Sequence, residues 1–105
     1  MRIETMILKT ETGISVVIYT KDGDKFVPSK VSAIFRSLKK EYIVLPNAVG
    51  DVVVYYASVG SNCVLPLGDG IFEVKYLGDD FLEINSVEVL AVSETDEIVT
   101  ETFEI

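Results

Sequence analysis

Alternating hydrophobic and polar positions in the first part of the chain predict short β-strands. Residues 2–10 alternate loosely, and in residues 14–20 the side chains of Ile14, Val16 and Ile18 share one face. Residues 11–13 and 21–24 have the composition of tight turns, since Asp22-Gly23 readily adopts the positive φ angles that hairpins use. A short strand over residues 25–27 follows, and Pro28 ends it.

The next segment, residues 29–40, has the spacing of an amphipathic helix. Ser29 is a suitable N-cap, and four apolar residues follow at the i, i+3, i+4 and i+7 positions, namely Val31, Ile34, Phe35 and Leu38. Two lysines at the end suit the negative end of a helix dipole. The pattern therefore predicts one helix at about 29–40 with its apolar face on a sheet.

The rest of the chain predicts further strands and turns, over residues 42–45, 51–58, 63–67, 71–77, 81–92 and 98–105. Pro66 places the third of these at a sheet edge. The apolar phase shifts near Asn85-Ser86, which predicts a bulge or a bend between two strands. The expected fold is α+β and mostly antiparallel β, a small roll or partly open barrel with one amphipathic helix on the sheet. We expect residues 1–97 to form one domain, with 98–105 as its C-terminal strand or an acidic docking segment.

Composition favours strands and argues against catalysis. Val occurs 16 times and Ile 10 times among 105 residues, and such β-branched side chains fit a pleated sheet. The chain has no His, which is the commonest general base and transition-metal ligand. Cys63 has no basic residue close in sequence to activate it, and glycine-rich phosphate loops are absent from the sequence. We therefore expect no catalytic residues, no metal site and no cofactor.

Charge is divided unevenly along the sequence. Residues 1–68 carry a net charge of +2, whereas residues 69–105 carry −10, with Lys75 as their one cation. The predicted helix would present a basic face made of Arg36, Lys39 and Lys40. The C-terminal segment interleaves acidic and apolar residues, which are Glu94, Asp96, Glu97, Val99, Glu101, Phe103 and Ile105. The interleaving favours a segment that docks on a basic partner or adds a strand to it.

These features predict a non-catalytic protein–protein interaction module, an accessory subunit that contacts its partner through the acidic C-terminal part. Separated basic and acidic surfaces also permit homo-oligomers. One alternative is an inhibitor whose carboxylates mimic nucleic acid, and another is a ligand binder or enzyme with a pocket between helix and sheet. A net charge of −8 argues against direct nucleic-acid binding. The longest apolar run is far shorter than a membrane span, and we expect a cytoplasmic protein with no membrane contact.

Overall fold

The fold consists of short antiparallel strands. The computed structural model describes residues 1–37, 64–78 and 80–105, together with the backbone of residues 41–43, 47–49, 52–54 and 57–58. In chain order the strands are β1 (Arg2–Lys9), β2 (Ile14–Asp22), β3 (Lys25–Phe26), β4 (Ser29–Ser37), β5 (Glu41–Ile43), β6 (Asn47–Val49), β7 (Val52–Val54), β8 (Ala57–Ser58), β9 (Val64–Gly68), β10 (Ile71–Tyr76), β11 (Ile84–Ser93) and β12 (Ile98–Glu104). A 3₁₀ turn, Phe81–Glu83, precedes β11.

Two open five-stranded sheets contain most of these strands. Sheet A has the order β1-β2-β10-β9, with β3 paired to β2. Sheet B has the order β12-β11-β4-β5, with β8 paired to β4, and β6 pairs with β7 separately. Every pairing between the strands that the structure describes is antiparallel. The mostly antiparallel β class predicted from the sequence is confirmed.

The predicted helix at 29–40 is wrong, because residues 29–37 form β4. Alternate side chains Val31, Ala33 and Phe35 are buried, which is a period of two and not a helical period. β4 is hydrogen-bonded to β11 along its length and to β5 on its other side. Val31 and Phe35 lie on the inner face in either conformation, so the helical spacing was ambiguous. Pairing of this segment with β11 and β5 stabilises the strand conformation, since tertiary contacts override weak local propensity.

Other local predictions can be compared with the strands. The bulge near Asn85-Ser86 is confirmed by a shift in the β11–β4 register between Ile84 and Ser86. Pro66 does lie in an end strand of sheet A. Within the segment 51–58, for which one strand was predicted, the described residues form β7, which pairs with β6, and β8, which pairs with β4.

The core lies between the two sheets. Sheet A contributes Ile14, Val16, Ile18 and Val74 among others, and sheet B contributes the buried residues of β4 and β11. Phe35 of β4 packs on Tyr76 of β10, with ring centroids 5.4 Å apart. Because the sheets meet through these inner faces, their end strands β1 and β12 lie beside each other at one edge of the molecule.

Candidate functional site

β12 is the end strand of sheet B, and one of its edges is exposed. It pairs with β11 through seven residue pairs, from Ser86 opposite Glu104 to Val92 opposite Ile98. Within the part of the chain that the structure describes, β12 pairs with no other strand. An end strand of this kind presents unpaired N–H and C=O groups, to which another extended segment can add.

Two hydrogen bonds on the β11 side of the ladder show which backbone groups of β12 point to β11 and which point to the exposed edge. The N–H of Ser93 donates to the carbonyl of Glu97 at 2.9 Å, and the N–H of Ile105 donates to the carbonyl of Asn85 at 2.9 Å. Hydrogen-bonded pairs alternate along an antiparallel ladder, so residues 99, 101 and 103 also direct their backbone toward β11. The N–H and C=O groups of Thr100 and Thr102 therefore point to the unpaired edge.

The apolar side chains of the C-terminal segment belong to the core of this chain. Val99, Phe103 and Ile105 are partly buried and pack against it. Glu101 lies on the same side of β12 by strand alternation, yet it is exposed. The apolar residues are therefore accounted for by folding within the chain. The edge and the carboxylates are what remains available to a partner.

A groove of about 540 Å³ lies at the junction of β1 and β12. Its lining comes from three strands, namely Ile3, Glu4 and Thr5 of β1, Tyr19 and Lys21 of β2, and Glu101 and Phe103 of β12. β1 is the end strand of sheet A, and in the described residues it forms no ladder with β12. The groove therefore opens beside the unpaired edges of two strands.

Glu4 forms ion pairs with Lys21 and Arg2 beside the groove. Lys21 Nζ lies 2.9 Å from one carboxylate oxygen of Glu4, and Arg2 Nε lies 3.6 Å from the other. The hydrogen bond from Lys21 is the main reason that the pKa of Glu4 is lowered, and the charge of Arg2 adds to the effect. Lys21 also approaches the Phe26 ring, with Nζ 5.1 Å from its centroid. Lys21 is thus already engaged.

Glu101 differs from Glu4 because it has no ion-pair partner among the described residues. Glu101 lines the groove together with Phe103, which lies two residues further along β12. The groove therefore has a mixed lining, in which Ile3, Tyr19 and Phe103 lie with the one lining carboxylate that has no ion-pair partner among the described residues, Glu101.

The three remaining predicted carboxylates lie in the β11–β12 turn. Glu94, Asp96 and Glu97 are exposed there, and Asp96 adopts a positive φ of 62°. The Ser93 hydroxyl oxygen accepts the N–H of Glu97 at 3.0 Å, which holds the turn closed. The amino group of Met1 lies 2.9 Å from the Glu97 carboxylate. These carboxylates add negative potential at one end of β12.

The basic face predicted for the helix does not exist in that form, because the helix is absent. Arg36 lies on the outer face of β4, and its guanidinium is 3.4 Å from the Glu88 carboxylate of β11. This pair joins adjacent strands of sheet B. Lys39 and Lys40 lie outside the described residues, and so does Cys63.

Other candidate chemistry in the described residues is structural. Asp80 accepts a hydrogen bond from the Tyr76 hydroxyl, next to the 3₁₀ turn. The described side chains include no cluster of three or more potential metal ligands. Among the described residues, no helix has the length and hydrophobicity needed to cross a membrane.

The outer face of sheet A exposes several apolar side chains, but polar residues interrupt them. Met6 and Leu65 are both more than half exposed. The strand register places Glu73 beside Leu65, and Leu8 lies in a row with Ser15 and Lys75. Apolar side chains scattered among polar ones are usual at protein surfaces. We therefore place the candidate site at β12.

The sequence indicated Glu101 and Phe103 of this site but missed the residues of β1 and β2 that line the groove. Their alternation predicted strands correctly. The first and last strands are about a hundred residues apart in the sequence, yet they are end strands of two different sheets and lie beside each other. Sequence spacing does not predict this contact.

Comparison of the chain with protein-family models, with curated proteins and with solved structures finds no match.

Proposed function

We propose that this protein is a non-catalytic protein-binding module, an accessory subunit that adds an extended basic segment of its partner to the free edge of β12. The observation that supports this is the edge itself. Thr100 and Thr102 direct their backbone N–H and C=O groups away from β11. Main-chain hydrogen bonds to such an edge give affinity for extended segments, and nearby side chains give specificity.

The charge of β12 supports a basic partner. The strand contains Glu101 and Glu104 and no cation, and the adjoining turn contributes three more carboxylates. Opposite charges across an interface accelerate association and exclude like-charged partners. For the same reason, pairing of β12 with β12 of a second copy brings acidic strands together and is disfavoured.

The two alternatives have weaker support. A nucleic-acid mimic needs carboxylates in rows along one exposed face, at phosphate-like spacing. On β12, residues 101 and 104 are three apart, and strand alternation puts their side chains on opposite faces. A pocket between helix and sheet has no location in the described chain, because the helix segment is β4.

The test compares two substitutions at one position of the free edge. Peptides that bind the intact chain are first selected from a random library, and their affinities are then measured by fluorescence anisotropy. Thr102→Pro removes an N–H that faces away from β11, and proline is tolerated at such edge positions. Thr102→Ala is the matched control, because it changes the same side chain and keeps the N–H.

We expect the selected peptides to contain Lys or Arg at alternate positions. Thr102→Pro should weaken their binding about tenfold, which corresponds to one hydrogen bond with its flanking contacts. Thr102→Ala should bind as tightly as the unchanged protein. Equal affinities of the Pro and Ala variants, or a selection that enriches no peptide, would contradict the proposal.

A further inference from the structure

The groove between β1 and β12 lies where an added strand would place one of its side chains. The backbone N–H and C=O groups of Glu101 point to β11 and not to the free edge. If a partner strand adds antiparallel to that edge, the partner residue opposite Glu101 therefore forms a non-hydrogen-bonded pair with it. Cα atoms in such pairs are about 4.5 Å apart, and the two side chains lie on the same face, close together. Glu101 lines the groove, and the facing side chain therefore enters the groove as well.

The lining of the groove determines which side chain fits. Tyr19 and Phe103, which are partly exposed, offer apolar surface to a long aliphatic stem. Glu101 supplies an uncompensated carboxylate for the head of that side chain. Lys21 does not attract an anion instead, since Glu4 holds it at 2.9 Å. The groove thus combines apolar and aromatic surface with one carboxylate, that of Glu101, which has no ion-pair partner among the described residues.

We propose that this groove is a recognition pocket for an arginine side chain of the partner segment. A guanidinium is planar and stacks on aromatic rings, and Tyr19 and Phe103 both line the groove. It also donates two parallel hydrogen bonds to a carboxylate, here that of Glu101. The proposal rests on the function proposed above, because the added strand brings the arginine to the groove.

The pocket is tested without any peptide, so its failure can be told apart from failure of strand addition. The probe is Nα-acetyl-L-arginine amide, titrated into the isotope-labelled full chain and followed by backbone amide NMR. Nα-acetyl-L-citrulline amide is the neutral probe of nearly the same shape. Glu101→Gln tests the carboxylate. Glu83→Gln is the matched control, since Glu83 is an exposed glutamate of the 3₁₀ turn outside the groove.

We expect the arginine probe to shift the amides of Ile3, Thr5, Glu101 and Phe103 in a saturable manner. The citrulline probe and the Glu101→Gln variant should each bind at least about tenfold more weakly. The Glu83→Gln variant should behave as the unchanged chain.

Several results overturn the pocket. They are equal shifts with citrulline, unchanged binding in Glu101→Gln, shifts centred on the turn carboxylates at 94–97, and no saturable shift at all. If these occur while peptide binding remains sensitive to Thr102→Pro, strand addition stands and the arginine pocket falls. Arginine binding at the groove with no effect of Thr102→Pro on peptide affinity contradicts strand addition.

Discussion

The hydroxyl of Thr20 donates a hydrogen bond to the carbonyl oxygen of Val27 at 2.8 Å, across the hairpin that joins β2 to β3. The same hydroxyl lies 2.9 Å from the Ser29 hydroxyl, at the start of β4. The backbone N–H of Thr20 donates to Gly70 of the β9–β10 turn at 2.8 Å. One buried polar residue therefore fixes the point at which the chain leaves sheet A and enters sheet B.

Replacing Thr20 by Val should destabilise the protein by about 1–3 kcal/mol, because it leaves buried hydrogen-bonding groups without their partner while keeping the side-chain shape. Urea denaturation gives the free energy of unfolding. Ser29→Ala removes the other hydroxyl, so a double-mutant cycle with Thr20→Val should show coupling of at least about 0.5 kcal/mol. Independent, additive effects would mean that the two hydroxyls do not share a network.

Gly70 lies at the same crossing and should not tolerate a side chain. Its φ is +83°, and a Cβ there would lie 2.8 Å from both the N and the O of Val27. Gly23 has a similar φ of +62° with no atom within 4 Å of such a Cβ. Gly23→Ala should therefore lower the free energy of unfolding by about 1 kcal/mol, through backbone strain alone. Gly70→Ala should lower it clearly more, because the added Cβ also clashes with Val27. Equal unfolding free energies for the two variants would contradict the crowding at Gly70.

The strands and turns of the hairpins could be predicted because each depends on neighbouring residues. Alternation identified β1 and β2, and the phase shift at Asn85 located the bulge in β11. The segment that forms β4 could not be assigned in this way. Val31 and Phe35 are four residues apart, a spacing that is compatible with one face of a helix and with one face of a strand.

The sequence predicted the acidic residues of the candidate site but not the groove that Glu101 lines. The sequence shows that Glu101 and Phe103 alternate with polar residues near the C-terminal end of a strongly acidic region. The groove they line also needs Ile3 of β1, which is placed there by the packing of sheet A on sheet B. That contact depends on the order of strands in both sheets, and local propensity does not encode this order.

Two neighbouring substitutions distinguish the strand from the helix at β4. Ala33 is fully buried between the sheets, and Ile34 points to the other face. Ala33→Lys should unfold the domain, because burying an unpaired ammonium costs several kcal/mol and exceeds what a small domain can lose. Ile34→Lys should cost about 1 kcal/mol. Circular dichroism and urea denaturation check both. A helix spaced as the sequence suggested would give the reverse order.

The ion pair between Glu4 and Lys21 should make stability depend on pH in the acid range. The pKa of Glu4 is lowered from 4.5, chiefly by the hydrogen bond from Lys21, and Lys21→Met should therefore raise it. A lowered pKa in the folded state means that the ionised carboxylate stabilises the fold. The contribution is full above the unfolded pKa and is lost as the pH falls through the folded value.

Two measurements check this. Carbon NMR titration of the Glu4 carboxyl group should give a higher pKa in Lys21→Met than in the unchanged protein. In urea denaturation, Glu4→Gln should be less stable than the unchanged protein at pH 7, and the difference should shrink as the pH drops below about 4.5. Because Lys21 also contacts aromatic rings, the Gln variant isolates the carboxylate. A stability difference that is the same at acid and neutral pH would show that the charge of Glu4 does not contribute.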